Sequence, residues 1–332
     1  MYSLITSFLD KYKITINNNQ KKIMKKTTAL KSIGLALCVL ACNTDETTVT
    51  PQEVTQDISL EYPTTISLTA RPSVVSNWKL QTKLSNEFNY ASKSSNLFST
   101  DWQDYFFNGW EGPPPLTKFT PAQSTIENNM LVFRAKIVNG RVQTGCVTSK
   151  GTTSYPMYME ARVKISNSDL SSAVWMLSDD SLEELDNLEA WGNVDRDYYS
   201  KVLHLSHHIF KPVTGKPKLD YQPTGNDTFY SDGKGTKWTS AFHVYGVLWN
   251  SPKEIKYYVD NKLVRTVPVN QIDPKNYTTK GGLTKPMHMI ISQAAQPWRE
   301  TLGNIEPYLV NPSVTNIART VTQIDWIRTY KP

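Results

Sequence analysis

Three carboxylates, Glu184, Asp186 and Glu189, sit in the run Glu183-Glu184-Leu185-Asp186-Asn187-Leu188-Glu189-Ala190-Trp191-Gly192 among apolar and aromatic neighbours. The preceding run, Ser172-Ala173-Val174-Trp175-Met176-Leu177, reads as a buried strand. Acids threaded through such surroundings are costly unless they serve a purpose. Side chains alternate along a strand, so Glu184 and Asp186 share one face. Glu189 falls on the other face unless one extra residue is inserted. A β-bulge near Asn187-Leu188 returns it, and bulges gather beside active sites. Two carboxyls about 5–5.5 Å apart across a glycosidic bond are what retaining hydrolysis needs. A third acid between them would hold a proton and push the pKa values of its neighbours apart. The same letters also fit an exposed helical turn, and these residues alone leave both readings open.

The elements that must position the acids are strands. From about residue 70 to 332 short β-rich runs alternate with Gly, Pro, Asn and Asp. They include Met130–Ile137, Met157–Ile165, Val202–Phe210, Phe242–Trp249, Ile255–Val259, Met287–Ile291 and Val321–Tyr330. Long helical patterns and internal repeats are absent, so the expected fold is one large antiparallel sandwich. Asp260-Asn261, between two such runs, is expected to form a tight hairpin turn. Of the three cysteines, Cys38 and Cys42 lie near the N-terminus and Cys146 within a strand pattern. That excludes a disulfide framework, and no zinc or haem spacing is present. A G-x-S-x-G elbow, a P-loop and a dinucleotide fingerprint are likewise missing.

Residues 1–41 read as an over-read start followed by a secretory signal, with Met24 the expected initiator. Lys21, Lys22, Lys25 and Lys26 precede the apolar run Ile33–Leu40, which is too short to span a bilayer. Val39-Leu40-Ala41-Cys42 resembles a bacterial lipobox, which makes Cys42 the expected lipidation site and new N-terminus. Residues 42–69, rich in Thr, Ser, Pro and acids, read as a flexible tether to a catalytic domain at 70–332. Seven lysines against Asp10 give residues 1–41 a charge of +6, equal to the +6 of the whole chain, so the remainder holds 29 basic and 29 acidic residues. The basic pI therefore says nothing about nucleic acid or a polyanion.

Nine tryptophans invite two uses. Trp249 and Trp326 fall within apolar strand patterns and are expected in the core. Trp110 and Trp298 sit among loop residues, where stacking on the apolar faces of sugar rings is the better use, and Trp175 could line a cleft floor. Strand alternation puts His204 and His208 on one face and His207 on the other. Cleft-lining polar roles suit these histidines better than a metal site or packing in the core.

These pieces resemble glycoside hydrolase family 16. Glu184-Leu185-Asp186-Asn187-Leu188-Glu189 is similar to its bulged E-x-D-x-x-E strand, and Asn108-Gly109-Trp110-Glu111-Gly112-Pro113 to the N-G-W-x-G-P loop of its agarase and porphyranase branches. Gln143–Lys150, Tyr158–Arg162, Ser206–Phe210, Phe242–Gly246, Gln296–Arg299 and Ile324–Arg328 follow in family order. The resemblance implies a β-jelly-roll of two antiparallel sheets with an open concave cleft, and retaining endo-hydrolysis of a β-1,4-linked galactan. It makes Glu184 the nucleophile, Glu189 the general acid/base and Asp186 the assisting acid. Trp110, Trp175, His208, Gln296, Trp298 and Arg299 become the candidate substrate contacts. Asn187, usually apolar in agarases, departs from the pattern, as does the neutral Gln293-Ala294-Ala295 where relatives tend to be acidic.

Within the branch, Gln143–Lys150, Ser206–Phe210 and Asp220-Tyr221-Gln222-Pro223 look closer to porphyranases, so sulfated porphyran is the expected substrate and neutral agarose the alternative. Sulfate recognition calls for a cleft arginine, with Arg134, Arg141, Arg162 and Arg299 as candidates. A non-catalytic glycan-binding lipoprotein, or a structural adhesin, would not need the three acids. No cofactor or catalytic metal is expected; a structural calcium is compatible with the resemblance but is marked by no spacing here. The expected protein is a monomer on a bacterial outer membrane or cell surface, touching membrane only through its lipid.

Overall fold

The computed structural model describes residues 71–332. The leader, the tether and Cys42 lie outside the described residues. Two eight-stranded antiparallel sheets form the framework of the described chain. One runs, in order, through Lys216–Tyr221, Leu203–Val213, Glu183–Ala190, Ser171–Ser178, Met287–Ala294, Cys146–Thr153 and Trp102–Gln103, with Phe229–Tyr230 added beside Leu203–Val213. The other runs through Lys262–Thr266, Glu254–Val259, His243–Ser251, Met157–Lys164, Thr322–Lys331, Met130–Phe133 and Ser124–Glu127, with Lys79–Leu80 beside Thr322–Lys331. This is the expected jelly-roll sandwich.

Its core lies between the sheets. Leu185, Leu188 and Ala190 of the acidic strand share it with Val174 and Met176, and with Met157, Met159, Ala161 and Val163 of the facing sheet. The alternation that buries these side chains sends their strand neighbours to the opposite face. Asp260 and Asn261 both have positive φ, at 49° and 64°, and link strands that close with Val259 opposite Lys262. That is the two-residue turn expected there.

Two expectations are corrected. The run Met130–Ile137 is not one strand: Met130–Phe133 belongs to the second large sheet and Lys136–Val138 to a separate three-stranded sheet. The break comes where Ala135 N–H donates to Thr320 Oγ1 at 2.9 Å rather than to a ladder. Trp326 is only half-buried. The pairing slips between Ile324 and Trp326, which sets Trp326 opposite Arg162 and its ring 4.1 Å from the Arg328 guanidinium carbon. Trp249 is fully buried, as expected.

The acidic strand ends at a tight crossing. A Cβ on Gly192 would stand 2.1 Å from the Ser166 carbonyl oxygen and 3.1 Å from Thr239 Cβ. Backbone cannot yield there as a flexible side chain would. Gly192→Ala should therefore lower stability by about 1–3 kcal/mol, the usual cost of overpacking. Thermal unfolding reads this out; a midpoint equal to the parent's would refute the constraint.

Candidate active site

The bulge is where the spacing required it. On one side of the acidic strand Leu188 faces Val174 and Asp186 faces Trp175, so Asn187 has no partner. On the other side Asp186 faces Ser206 and Glu189 faces His204, so Asn187 and Leu188 are set against Leu205 alone. Leu185, Leu188 and Ala190 enter the core, and Glu184, Asp186 and Glu189 emerge together on the outer face. Asn187 is buried; its Nδ2 donates to the Tyr245 carbonyl of the facing sheet at 3.0 Å. Its amide thus ties the bulge across the sandwich, which an apolar residue could not do. Glu183 points the other way, and its carboxylate accepts hydrogen bonds from the backbone N–H groups of Thr284 and Lys285.

The histidine strand Leu203–Val213 lies alongside. His207 is fully buried, with Nε2 2.8 Å from the Ile272 carbonyl. Burial pulls its pKa down to about 4, so it is a neutral core residue and not a cleft-lining one. His204 and His208 share the acids' face. His204 Nδ1 is hydrogen-bonded to Glu189 Oε2 at 3.0 Å and the ring stacks on Phe229 at 4.6 Å. Gln296 Nε2 donates to Glu189 Oε1 at 3.2 Å. His208 Nε2 lies 4.0 Å from Glu184 Oε1 and 3.8 Å from Asp186 Oδ2, while its Nδ1 is 2.9 Å from Asp220 Oδ1.

These distances set the charge state. Burial opposes charge on His208, but Glu184, then Asp220 and Asp186, outweigh it and raise its pKa to about 10. Burial raises Glu184 well above the usual carboxylate range; Asp186 adds to that and the His208 cation opposes it. Asp186 is raised as well, by burial first, again against His208. Glu184, Asp186 and His208 hold ligand-type atoms within 4.8 Å of one another, a grouping a cation could bridge.

Aromatic groups flank the trio on both sides. Trp175, on the strand next to the acids, donates Nε1–H to Ser292 Oγ at 3.1 Å. Its ring contacts Phe106 at 5.7 Å, and Phe106 packs against Trp110 at 5.0 Å. Trp110 is 40% exposed on its loop. Beyond Glu189, Trp298 meets Trp191 edge-on at 5.5 Å, and Tyr198, 53% exposed, contacts Phe229 at 6.2 Å.

A family model described as beta-porphyranase A-D, GH16 domain, matches residues 78–332. The chain belongs to glycoside hydrolase family 16. Beta-agarase AgaA of Microbulbifer thermotolerans is 42% identical over 279 residues, covering 80% of this chain and 62% of that protein. A beta-agarase of Phocaeicola plebeius is 40% identical over 276 residues, covering 76% and 84%. Among solved structures, beta-agarase B of Zobellia galactanivorans superimposes with a TM-score of 0.69 at 35% identity, covering 76% of this chain and 93% of that one. An inactivated mutant beta-agarase B has been solved in complex with agaro-octaose, also with a TM-score of 0.69. As a member of family 16 the chain is a glycoside hydrolase.

Against that family background several expected contacts change place. Arg299 is 0% exposed and cannot touch a substrate. Gln293 is buried too, with Nε2 donating to Thr320 O and Thr322 Oγ1, so its neutrality does not alter the cleft's charge. Arg134 is held bidentately by Glu127 at 2.5 and 2.7 Å. Arg162 pairs with Asp325 at 2.5 Å on the face of the second sheet turned away from the core. Arg141 does lie beside the Trp110 loop, but Glu111 takes its Nη1 at 2.8 Å and the Thr117 carbonyl its Nη2. None of the four is an unpaired cleft cation.

Asp220, Tyr198 and Phe229 were not picked out as site residues from the sequence. Asp220 reaches His208 only because Phe210 pairs with Asp220 across two strands, a register with no local sequence mark. His204 had one signal, its shared parity with His208.

His208 is the group that favours the ionised forms of Glu184 and Asp186. Replacing it with Gln removes that pull, so both acids should titrate at still higher pH. The acidic limb of the kcat/KM profile should move upward in His208→Gln; an unmoved or lowered limb would contradict the charge assignment.

Proposed function

We propose that this family 16 hydrolase cleaves β-1,4-galactosidic bonds inside agar-type galactan chains with retention, and that neutral agarose is its preferred polymer. The observation that carries the reading is the trio Glu184, Asp186 and Glu189 on one face, reached through the bulge at Asn187. Glu189, hydrogen-bonded by Gln296 and His204, is the general acid: it protonates the departing glycosidic oxygen as Glu184 attacks the anomeric carbon. The bond to the leaving sugar breaks and a glycosyl ester to Glu184 forms. Glu189, now ionised, takes a proton from water, which attacks the same carbon and frees Glu184. The His208 cation, 4.0 Å from Glu184 Oε1, opposes the upward shift that burial and Asp186 impose on Glu184 and so favours the anion that attacks. Aromatic surfaces on both sides of the trio suit a chain that continues past the cleavage point in each direction.

Neutral agarose is favoured because the four candidate arginines are internally paired or buried, and because the relatives at 42% and 40% identity are both named beta-agarases. The porphyran reading is supported by the family model's description, and Arg141 would be its sulfate contact. Polymer substrates require a site of action outside the cell, which fits the lipobox-like Val39-Leu40-Ala41-Cys42. An anchor at Cys42 is part of this proposal.

Glu184→Gln and Glu189→Gln should each lose about 10²–10⁴-fold or more in turnover, the scale of one proton-transfer or covalent role, with unfolding curves like the parent's. Undiminished hydrolysis by Glu184→Gln would remove the mechanism. Selectivity is read as the ratio of kcat/KM on agarose and porphyran. The expected ratio favours agarose and survives Arg141→Ala. A preference for porphyran that Arg141→Ala abolishes would establish the sulfated substrate instead.

A further inference from the structure

Arg299 presents a physical puzzle. It is wholly buried, yet its Nε, Nη1 and Nη2 have no hydrogen-bond partner among the described residues. Its charge is met by Asp169, also wholly buried, whose Oδ1 lies 3.5 Å from Nη2. Its guanidinium carbon stands 4.2 Å from the Tyr199 ring centroid, 5.1 Å from Trp191 and 6.0 Å from Trp298. Asp169 is in turn fixed by Asn193 Nδ2 at 2.8 Å, Asn311 Nδ2 at 2.9 Å and Ser313 Oγ at 3.2 Å. A buried ion pair adds little stability over a well-packed apolar pair. A buried arginine with unmet donors adds less still, so stability alone does not explain this one.

Its neighbours do. Trp191 is two residues beyond Glu189 on the same chain and meets Trp298 edge-on. Gln296, three residues before Arg299, donates to Glu189 Oε1. The path therefore closes on itself, from Glu189 along the backbone to Trp191, across to Arg299, back along Pro297–Thr301 to Gln296, and by its amide to Glu189 again. The guanidinium is the rigid plane between the two arms, packed against Trp191 and covalently continuous with Gln296.

We propose that Arg299, with Asp169 as its buried counter-ion, is a positioning residue that holds the Glu189 carboxyl at the glycosidic oxygen through Trp191 and Gln296. This rests on the reading of Glu189 as the general acid. Loosening the ring would leave Glu189 present but misplaced, and a misplacement near 1 Å can cost roughly 10²-fold.

The test separates bond cleavage that needs a proton from cleavage that does not. kcat/KM, which reports steps up to glycosyl-enzyme formation, is measured on an agaro-oligosaccharide and on its nitrophenyl glycoside, whose phenolate departs without protonation. Arg299→Met should lose about 10²-fold on the oligosaccharide and stay close to parent on the nitrophenyl glycoside. Gln296→Leu should show the same dependence on leaving group. Arg299→Lys keeps the charge without the stacking plane and should fall between; it is read in the same way if Arg299→Met does not fold. Equal losses on both substrates, or none on either, would overturn the positioning role. Glu189→Gln is the control for the underlying reading. If it lacks the leaving-group dependence, the acid assignment fails. If it has the dependence and the Arg299 variants do not, only the positioning role fails.

Discussion

One inserted residue, Asn187, governs the chemistry of this fold. A regular strand would send Glu189 into the core side or Leu188 into the cleft, and the sandwich tolerates neither. Burying a leucine contributes about 1.5–3 kcal/mol, and burying an unpaired carboxylate costs far more than that. With the bulge, Leu185, Leu188 and Ala190 all pack inward while Glu184, Asp186 and Glu189 all point outward. The Asn187 amide, bonded to the Tyr245 carbonyl, fastens the irregularity to the opposite sheet.

Once three acids share one face, their mutual repulsion has to be managed. Burial and proximity raise Glu184 and Asp186, and the answering positive charge comes from the neighbouring strand. His208 carries it, held by Asp220 from the strand beyond. Glu189 is handled differently. Its two oxygens are engaged by His204 and Gln296, from opposite sides of the site. The Glu184 end is thus governed by charge and the Glu189 end by hydrogen bonds, a division that fits the proposed roles of an attacking anion and a proton donor.

The arginines show how a residue type can mislead when its partners are out of view. Arg141 and Arg299 lie near the site, but Glu111 satisfies the first and the second is enclosed by Tyr199, Trp191 and Asp169. A free cleft arginine would attract sulfate; Arg141 is already neutralised by Glu111, and Arg299 is out of a ligand's reach. The aromatic flanks differ in kind: Trp110 and Tyr198 pack on neighbouring rings yet keep 40% and 53% of their surface exposed.

The fold and the acid trio were legible in the sequence because both are properties of strand alternation. Leu185, Leu188 and Ala190 against Glu184, Asp186 and Glu189 can be sorted by parity once a bulge is allowed, and the Asp260-Asn261 turn follows from its residue types. His207 and His208 were separable on the same ground. Partnerships made across the sheet were not legible, because register between distant strands is fixed by packing of the whole sandwich. Asp220 on His208, Glu111 on Arg141 and Asp169 on Arg299 each join segments whose letters do not mention one another. A slip at Asp325 likewise turned Trp326 out of the core. Local alternation decided which face each acid would use; only the tertiary structure decided which charges would be free there, because that depends on neighbours brought from elsewhere in the chain.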